Sequence, residues 1–447
     1  MKIPQHLYSP AYPAAWLLFG MIFALAVAHF MAAPWVRLAT VTFYVVPMGW
    51  LSALAWQKRQ HVWPVTALDV LFVGFVLQVS ASLVFQGGSL GESAKFARYM
   101  PFMVAIPYLG GRLMRVSDFA LLSRVTLVAG VAMLPLLLLD RFTSHAQEGG
   151  RWPFFGQSHG MLLVGALLAP TLIALCVRML GCRSPRSSNV RPEQLIYWGL
   201  IALVTVFLVW VKARGWLLAG LVAVAVTCLS ARHRLITTRM GLLTAVLAIA
   251  GITLASLPRI DPQSEKFYAL LLTKPAIYGA TPAKPAIYGA SLAETGPILG
   301  EASCLPFKEG VNSVAIRWVM YREAVAMLMA HPYLGVGATR FGERSCTGPG
   351  WYPHSTILQG FAELGLVGGG LLVGLLALAF VTLVRPFLSV RQGAIWSANS
   401  FVLALFAAFL VADQIYGNYF MSVDMWLILG IAASMRADAK RGFDSHG

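Results

Sequence analysis

Long apolar runs separated by short polar segments make up most of the chain. A run of roughly 20 apolar residues is long enough to cross a bilayer as a helix. About twelve such runs occur, near positions 14–33, 35–56, 65–86, 96–113, 119–139, 158–180, 194–211, 215–231, 240–257, 357–384, 394–412 and 419–435. The pattern predicts an all-α polytopic membrane protein.

One polar segment is far longer than the others. It divides the chain into three predicted parts: residues 1–257 with nine membrane helices, a loop over 258–356, and residues 357–447 with three more helices and a short tail. A connection this long is usually functional or disordered. Its first half contains a tandem repeat, Lys274–Ala280 and Lys284–Ala290, which we interpret as a local duplication in a tolerant surface segment.

The second half of the loop has the pattern of an ordered helix. From Val311 to Ala330 apolar residues recur at helical spacing, at Ile316, Met320, Ala324, Met327 and Leu328. Pro332 ends this helix, and a glycine-rich turn follows at Gly335 and Gly337.

The basic residues set the predicted orientation. They cluster between every second pair of apolar runs, and cytoplasmic loops are rich in Lys and Arg. The clusters are Lys58 and Arg59; Arg112 and Arg115; Arg178, Arg183, Arg186 and Arg191; Arg232, Arg234 and Arg239; Arg385 and Arg391. Both termini are then cytoplasmic, and the large loop lies outside.

Composition agrees with this interpretation. The 447 residues are 58% hydrophobic and 12% charged, whereas soluble domains carry roughly 25% charged residues. The net charge of +16 sits in short inter-helical clusters, so it indicates membrane anchoring and no nucleic-acid partner.

The five cysteines give a limited signal. Cys304 and Cys346 both fall in the outer loop, where an oxidising compartment permits a disulfide. Two free thiols are an equal alternative. No cysteine spacing resembles a zinc site, and we expect no metal and no cofactor.

Three charged residues are candidates for catalysis, because they are predicted at the outer face near the membrane boundary. Arg214 lies between the seventh and eighth runs, Arg317 begins the loop helix, and His354 lies where the loop re-enters the membrane. Each also has a non-catalytic explanation: Arg214 could snorkel to lipid head groups, Arg317 could be a solvated helix residue, and His354 could be an interfacial histidine. Together, two guanidiniums suit a diphosphate, and an imidazole suits proton transfer.

Weaker candidates surround these three. Lys212 and Arg322 could add positive charge, and Tyr321 and His159 could line the same cavity. A structural role at the start of the sixth helix is the alternative for His159.

The loop and its flanks resemble the O-antigen ligase and polymerase superfamily. The resemblance rests on Arg317, an aromatic residue at Tyr321, the turn Pro332-Tyr-Leu-Gly-Val-Gly337, then His354 and Ala362-Glu-Leu-Gly-Leu-Val-Gly368. It covers roughly residues 150–380. Three positions depart from the pattern: Tyr321 replaces a tryptophan, Ser355 an asparagine and Ala213 a serine.

The resemblance implies a GT-C-like glycosyltransferase of the bacterial inner membrane. Its donor would be an O-antigen glycan on undecaprenyl diphosphate, and its acceptor a sugar hydroxyl of the lipid A-core at the periplasmic face. His354 would act as the base, and Arg214 and Arg317 would bind the diphosphate. A monomer is slightly favoured over an oligomer.

Other functions remain open from the sequence. An O-antigen polymerase would use a second lipid-linked glycan as acceptor, and a protein O-oligosaccharyltransferase would use serine side chains. A transporter of an anionic lipid is the alternative from a different class, although no pair of broken helices in the two halves suggests inverted repeats.

Overall fold

The computed structural model describes residues 9–16, 46–47, 49–54, 64–85, 100–143, 160–181, 192–210, 214–230, 313–346, 351–389, 394–420 and 422–444. Every regular element within these ranges is helical. The helices named below are α1 Ala67–Phe85, α2 Ile106–Arg112, α3 Val116–Thr143, α4 Gly160–Gly181, α5 Pro192–Trp210, α6 Arg214–Ser230, α7 Ser313–Ala330, α8 Thr356–Ser389, α9 Ala394–Asp413 and α10 Val423–Asp444. The all-α prediction is confirmed for this part of the chain.

Four of the described helices are long and apolar enough to cross a membrane. They cover Ala67–Phe85, Ser117–Asp140, Thr356–Phe387 and Trp396–Asp413. The predicted span 240–257 and most of 14–33 and 35–56 lie outside the described residues, so the total of about twelve stays a prediction. The three-part division of the chain also remains a prediction.

The predicted fourth span is one continuous helical segment made of two pieces of different helix type. A π-helical turn, Pro101–Ala105, leads into the short helix α2, and each piece has a proline in its first turn. Proline has no backbone N–H and its ring clashes with the preceding turn. The prolines Pro101 and Pro107 therefore coincide with a change of helix type, and the helix itself continues through them.

Helices α2 and α10 cross at a contact between two glycines. A Cβ on Gly111 would lie 2.0 Å from the carbonyl oxygen of Leu427, and one on Gly430 would lie 2.0 Å from that of Tyr108. Small residues let membrane helices approach until their backbones touch. The crossing therefore depends on hydrogen atoms at both positions.

A buried polar network ties α1 to α2 at the end that the charge pattern assigns to the cytoplasm. Asp69 accepts hydrogen bonds from Tyr108 Oη at 2.9 Å and from Arg112 Nε at 3.2 Å. Arg112 also donates to the Pro64 carbonyl at 2.9 Å. A charge near the bilayer needs such a partner, so this arginine has a structural role.

Candidate functional site

The loop helix α7 packs as its apolar pattern predicts. Met320, Ala324 and Met327 are buried against Phe341 and Ala362. On the same buried side, Glu323 accepts a hydrogen bond from the Cys346 N–H at 2.9 Å. Helix α7 is therefore fixed to the turn that follows it and to the start of α8.

The glycine turn after α7 is joined to α8 by an exchange of backbone hydrogen bonds. In an unbroken helix, the N–H groups of residues 366 and 367 would bond to the carbonyls of 362 and 363. Here Leu366 and Val367 donate instead to Pro332 and Tyr333, at 2.7 and 3.3 Å. The freed carbonyls accept from the glycine turn.

The acceptors complete this interlock. The Ala362 carbonyl bonds to the N–H of Val336 at 3.0 Å, and the Glu363 carbonyl bonds to that of Gly337 at 2.9 Å. Two intrahelical bonds are replaced by four bonds between segments, and α8 breaks at Gly365, where φ is 66° and ψ is −164°. The two sequence motifs with closely spaced glycines are thus two halves of one structure.

The Glu363 side chain organises the same turn. It is buried and accepts hydrogen bonds from the N–H groups of Thr339 at 2.8 Å and Phe341 at 3.3 Å. It also accepts from Gln359 at 3.3 Å and from Tyr419 Oη at 2.6 Å. With these four donors, this buried carboxyl group has a structural role.

The turn after α9 contacts the start of α8 through hydrogen bonds of Gln414. The Gln414 side-chain oxygen accepts hydrogen bonds from Ser355 Oγ at 2.9 Å and from the Ile357 N–H at 3.4 Å. Tyr321 Oη donates to the Gln414 carbonyl at 3.3 Å. One residue of this turn therefore contacts both α7 and the start of α8.

Two residues further on, Tyr416 joins the parts that carry the predicted arginines. The Arg317 Cζ atom lies 5.3 Å from the centre of the Tyr416 ring, within the range of a cation–π interaction. The Tyr416 hydroxyl oxygen accepts a hydrogen bond from the Gly215 N–H at 2.9 Å. Tyr416 therefore contacts both Arg317 and the start of α6, whose first residue is Arg214.

His354 lies in the same neighbourhood, in an unusual backbone conformation. Its φ is 54°, a left-handed value that non-glycine residues rarely adopt. Its ring packs against Tyr352, with the ring centres 4.6 Å apart, and Tyr352 Oη donates a long hydrogen bond of 3.5 Å to the Tyr416 carbonyl. Strained backbone is concentrated at functional sites, which makes the conformation of His354 notable.

Electrostatics also places Arg317 among these tyrosines. Burial raises the pKa of Tyr352 and that of Tyr321, and the positive charge of Arg317 opposes the rise at both. Arg317 therefore acts on two phenols on different segments. Around it the structure gathers a half-buried group of Arg317, Tyr321, Tyr352, His354 and Tyr416, which we call the tyrosine cluster.

The structure describes the remaining predicted residues only in part. Helix α6 fixes the backbone of Arg214, but its side chain lies outside the described residues, as do Lys212 and His159. Arg322 is five residues after Arg317, which puts it about 140° further around the helix axis. Cys346 forms a disulfide bond; Cys304 lies outside the described residues, so their pairing stays a prediction.

Sequence reasoning missed the residues that connect this group. Tyr352, Gln414 and Tyr416 sit in short polar or aromatic stretches between apolar runs, where tyrosines are ordinary membrane-interface residues. The only available signal was position, because all three flank spans that end on the predicted outer face. Their contacts depend on partners far away in the chain.

The described residues contain no group of three or more His, Cys, Asp and Glu side chains that could hold one metal ion. The tyrosine cluster offers positive charge, phenol groups and one imidazole. These groups can bind an anion and accept a proton from a hydroxyl group.

Comparison with known proteins gives one family. The model of the O-antigen ligase family matches residues 194–373. The matched range contains nearly all of α5, all of α6 and α7, the glycine turn and the first half of α8. No curated protein matches the chain. The family match supports the superfamily that the motifs indicate.

Proposed function

With an O-antigen ligase domain at residues 194–373 as the premise, we propose that the protein transfers an O-antigen glycan from undecaprenyl diphosphate to a lipid A-core sugar. The observation that carries this proposal is the meeting of three segments at Tyr416: the start of α6, the loop helix α7 and the stretch before α8. These segments carry the predicted diphosphate-binding arginines and the predicted base in their sequence, which supports a common site for the three residues.

The reaction we propose is a single displacement at the anomeric carbon. The acceptor hydroxyl oxygen forms a bond to that carbon, its proton passes to the His354 imidazole, and the bond from carbon to the diphosphate oxygen breaks. The lipid diphosphate leaves with the electron pair, and the configuration at the anomeric carbon inverts. General-base assistance of this kind contributes roughly 10²- to 10⁴-fold in rate.

The arginines have a separate role in this mechanism. Arg317 and Arg214 bind the diphosphate and stabilise the negative charge that develops on it as the bond breaks. A guanidinium suits this task because it donates two parallel hydrogen bonds to one phosphate. The polyprenyl tail stays in the bilayer beside the apolar helices, at the outer leaflet of the bacterial inner membrane.

The experiment that tests the function uses purified protein in detergent. Undecaprenyl diphosphate carrying an O-antigen glycan is offered together with rough lipopolysaccharide, and the product is followed by gel mobility and mass. We expect glycan on the lipid A-core. Transfer to a second lipid-linked glycan instead would identify a polymerase, and no transfer to either acceptor would contradict the proposal.

Replacement of Arg317 by Lys tests its role in the reaction. We expect transfer to fall by about tenfold or more, because lysine keeps the charge and loses the paired hydrogen-bond geometry. Arg115→Lys is the matched control, since Arg115 is exposed between α2 and α3. Equal rates for the two variants would show that Arg317 is merely a solvated residue.

A further inference from the structure

Tyr416 is held in place through both its backbone and its side chain. Its N–H donates to the Ala412 carbonyl at 2.8 Å, at the end of α9. Its hydroxyl oxygen accepts from the Gly215 N–H, and its carbonyl accepts from Tyr352. Both ends of the residue are thus fixed, and the face of the ring is left to Arg317.

The start of α6 is shaped to receive this ring. A Cβ on Gly215 would lie 2.3 Å from Tyr416 Cε2 and 2.7 Å from its Oη. A real Cβ does not approach other atoms so closely, so the tyrosine ring occupies the space that any larger residue at position 215 would need. Glycine at 215 and tyrosine at 416 therefore form a matched pair.

The position of Arg317 depends on that pair. Its guanidinium ends a long flexible side chain, and the Tyr416 ring is an electrostatic support 5.3 Å away. The same ring is bonded to Gly215, the residue after Arg214. Tyr416, a rigid aromatic residue, therefore contacts both the Arg317 side chain and the backbone next to Arg214.

We propose that Tyr416 is a positioning residue that sets the distance between Arg317 and the start of α6, so that the site distinguishes a lipid diphosphate from a lipid monophosphate. This inference rests on the proposed function, because that function supplies the diphosphate. A diphosphate has two phosphate groups, so one can contact Arg317 while the other contacts the start of α6. A monophosphate contacts only one of these two places, so its affinity depends little on the distance between them.

The test measures binding of undecaprenyl diphosphate and of undecaprenyl monophosphate to purified protein, with no acceptor present. Tyr416→Leu removes the aromatic face, and we expect the Kd for the diphosphate to rise about 5- to 30-fold, the range that a cation–π contact supports. The Kd for the monophosphate should stay within about twofold. Tyr416→Phe keeps the ring and should retain most of the selectivity.

Two further variants control the experiment. Tyr333→Leu makes the same exchange at an exposed tyrosine, and it should leave both affinities unchanged. Gly215→Ala leaves Tyr416 in the chain and displaces its ring, so it should reproduce the loss of selectivity even if Tyr416→Leu fails to fold.

The outcomes separate the two proposals. If wild-type protein prefers the diphosphate and Tyr416→Leu and Gly215→Ala keep that preference, the role of Tyr416 is wrong while the proposed function stands. Equal weakening of both lipids by Tyr416→Leu would also overturn it, since that result indicates general structural damage. If the wild-type protein shows no preference for the diphosphate, the proposed function itself fails.

Discussion

Replacement of Gly365 by Ala should destabilise the protein far more than the same replacement five residues later in the same helix. Gly365 has a φ of 66° and a ψ of −164°, a region that is essentially accessible to glycine alone. A Cβ there would lie 2.4 Å from the carbonyl carbon and oxygen of Tyr333, and 2.6 Å from the Gly335 nitrogen. These neighbours are backbone atoms, so no change of rotamer relieves the clash.

The magnitude follows from what the chain must give up. If the interlock between Pro332–Gly337 and α8 holds, the variant retains backbone strain of roughly 1–3 kcal/mol together with the overlap. If the interlock opens, four hydrogen bonds between segments are lost and two intrahelical bonds can form, a net loss of two at about 1 kcal/mol each. The clash or the freed Glu363 contacts add to either route, so we expect about 2–4 kcal/mol.

Gly370→Ala is the matched control. Gly370 is in the same helix, and a Cβ there would meet no atom within 4 Å, so alanine should be neutral or stabilise by up to roughly 1 kcal/mol. Thermal unfolding of the two purified variants in detergent gives the comparison, and limited proteolysis between residues 331 and 355 reports whether the turn has opened. Indistinguishable melting and digestion of the two variants would refute the interlock.

Two further predictions concern the loop helix and the helix crossing. Burial raises the pKa of Glu323 to about 7, above its ordinary 4.5, so this group should lower stability as pH rises from about 4.5 to 7, by up to about 1.4 kcal/mol per pH unit. The melting temperature of Glu323→Gln minus that of the wild-type protein should therefore be larger at pH 8 than at pH 5. The same difference at both pH values would contradict this. Gly430→Ala should cost at least about 1–3 kcal/mol because its Cβ overlaps the backbone of Tyr108. Gly199→Ala, which meets no atom within 4 Å, should not, and similar melting of the two would argue against a close contact of α2 and α10.

Local patterns were sufficient to predict the helices themselves. The spacing of Ile316, Met320 and Met327 predicted α7, and their burial against the following turn confirms it. The apolar run at 357–384 predicted α8, which spans Thr356–Ser389. In both cases the information lies within about 20 adjacent residues, at the period of a helix.

The break in α8 was not predictable in the same way. Residues around Gly365 have a helical apolar pattern, and the hydrogen bonds that replace the helical ones come from Pro332–Gly337. The role of Glu363 likewise depends on Tyr419, more than fifty residues away. The local spacing of apolar residues carries no information about these distant partners. The motif residues are therefore recognisable in the sequence, whereas their structural role depends on contacts in the folded chain.

The candidate site was predictable in its charged members and in Tyr321, but not in the residues that connect them. Arg317 and His354 stand out in a membrane protein because charged and titratable groups near the bilayer need a reason. Tyr416 and Gln414 do not stand out, since aromatic and polar residues at the outer ends of helices are common. Their importance arises from contacts with Gly215, Arg317 and Ser355, which only the folded chain brings together.

The most direct test of the account is single-turnover transfer by His354→Asn beside His331→Asn. Asparagine tolerates the left-handed backbone found at His354, so this variant removes the imidazole with little change of the turn. We expect His354→Asn to bind undecaprenyl diphosphate as the wild-type protein does and to transfer glycan at least 10²-fold more slowly, while His331→Asn remains active. Transfer by His354→Asn at the wild-type rate would contradict the claim that this histidine is the base of the reaction.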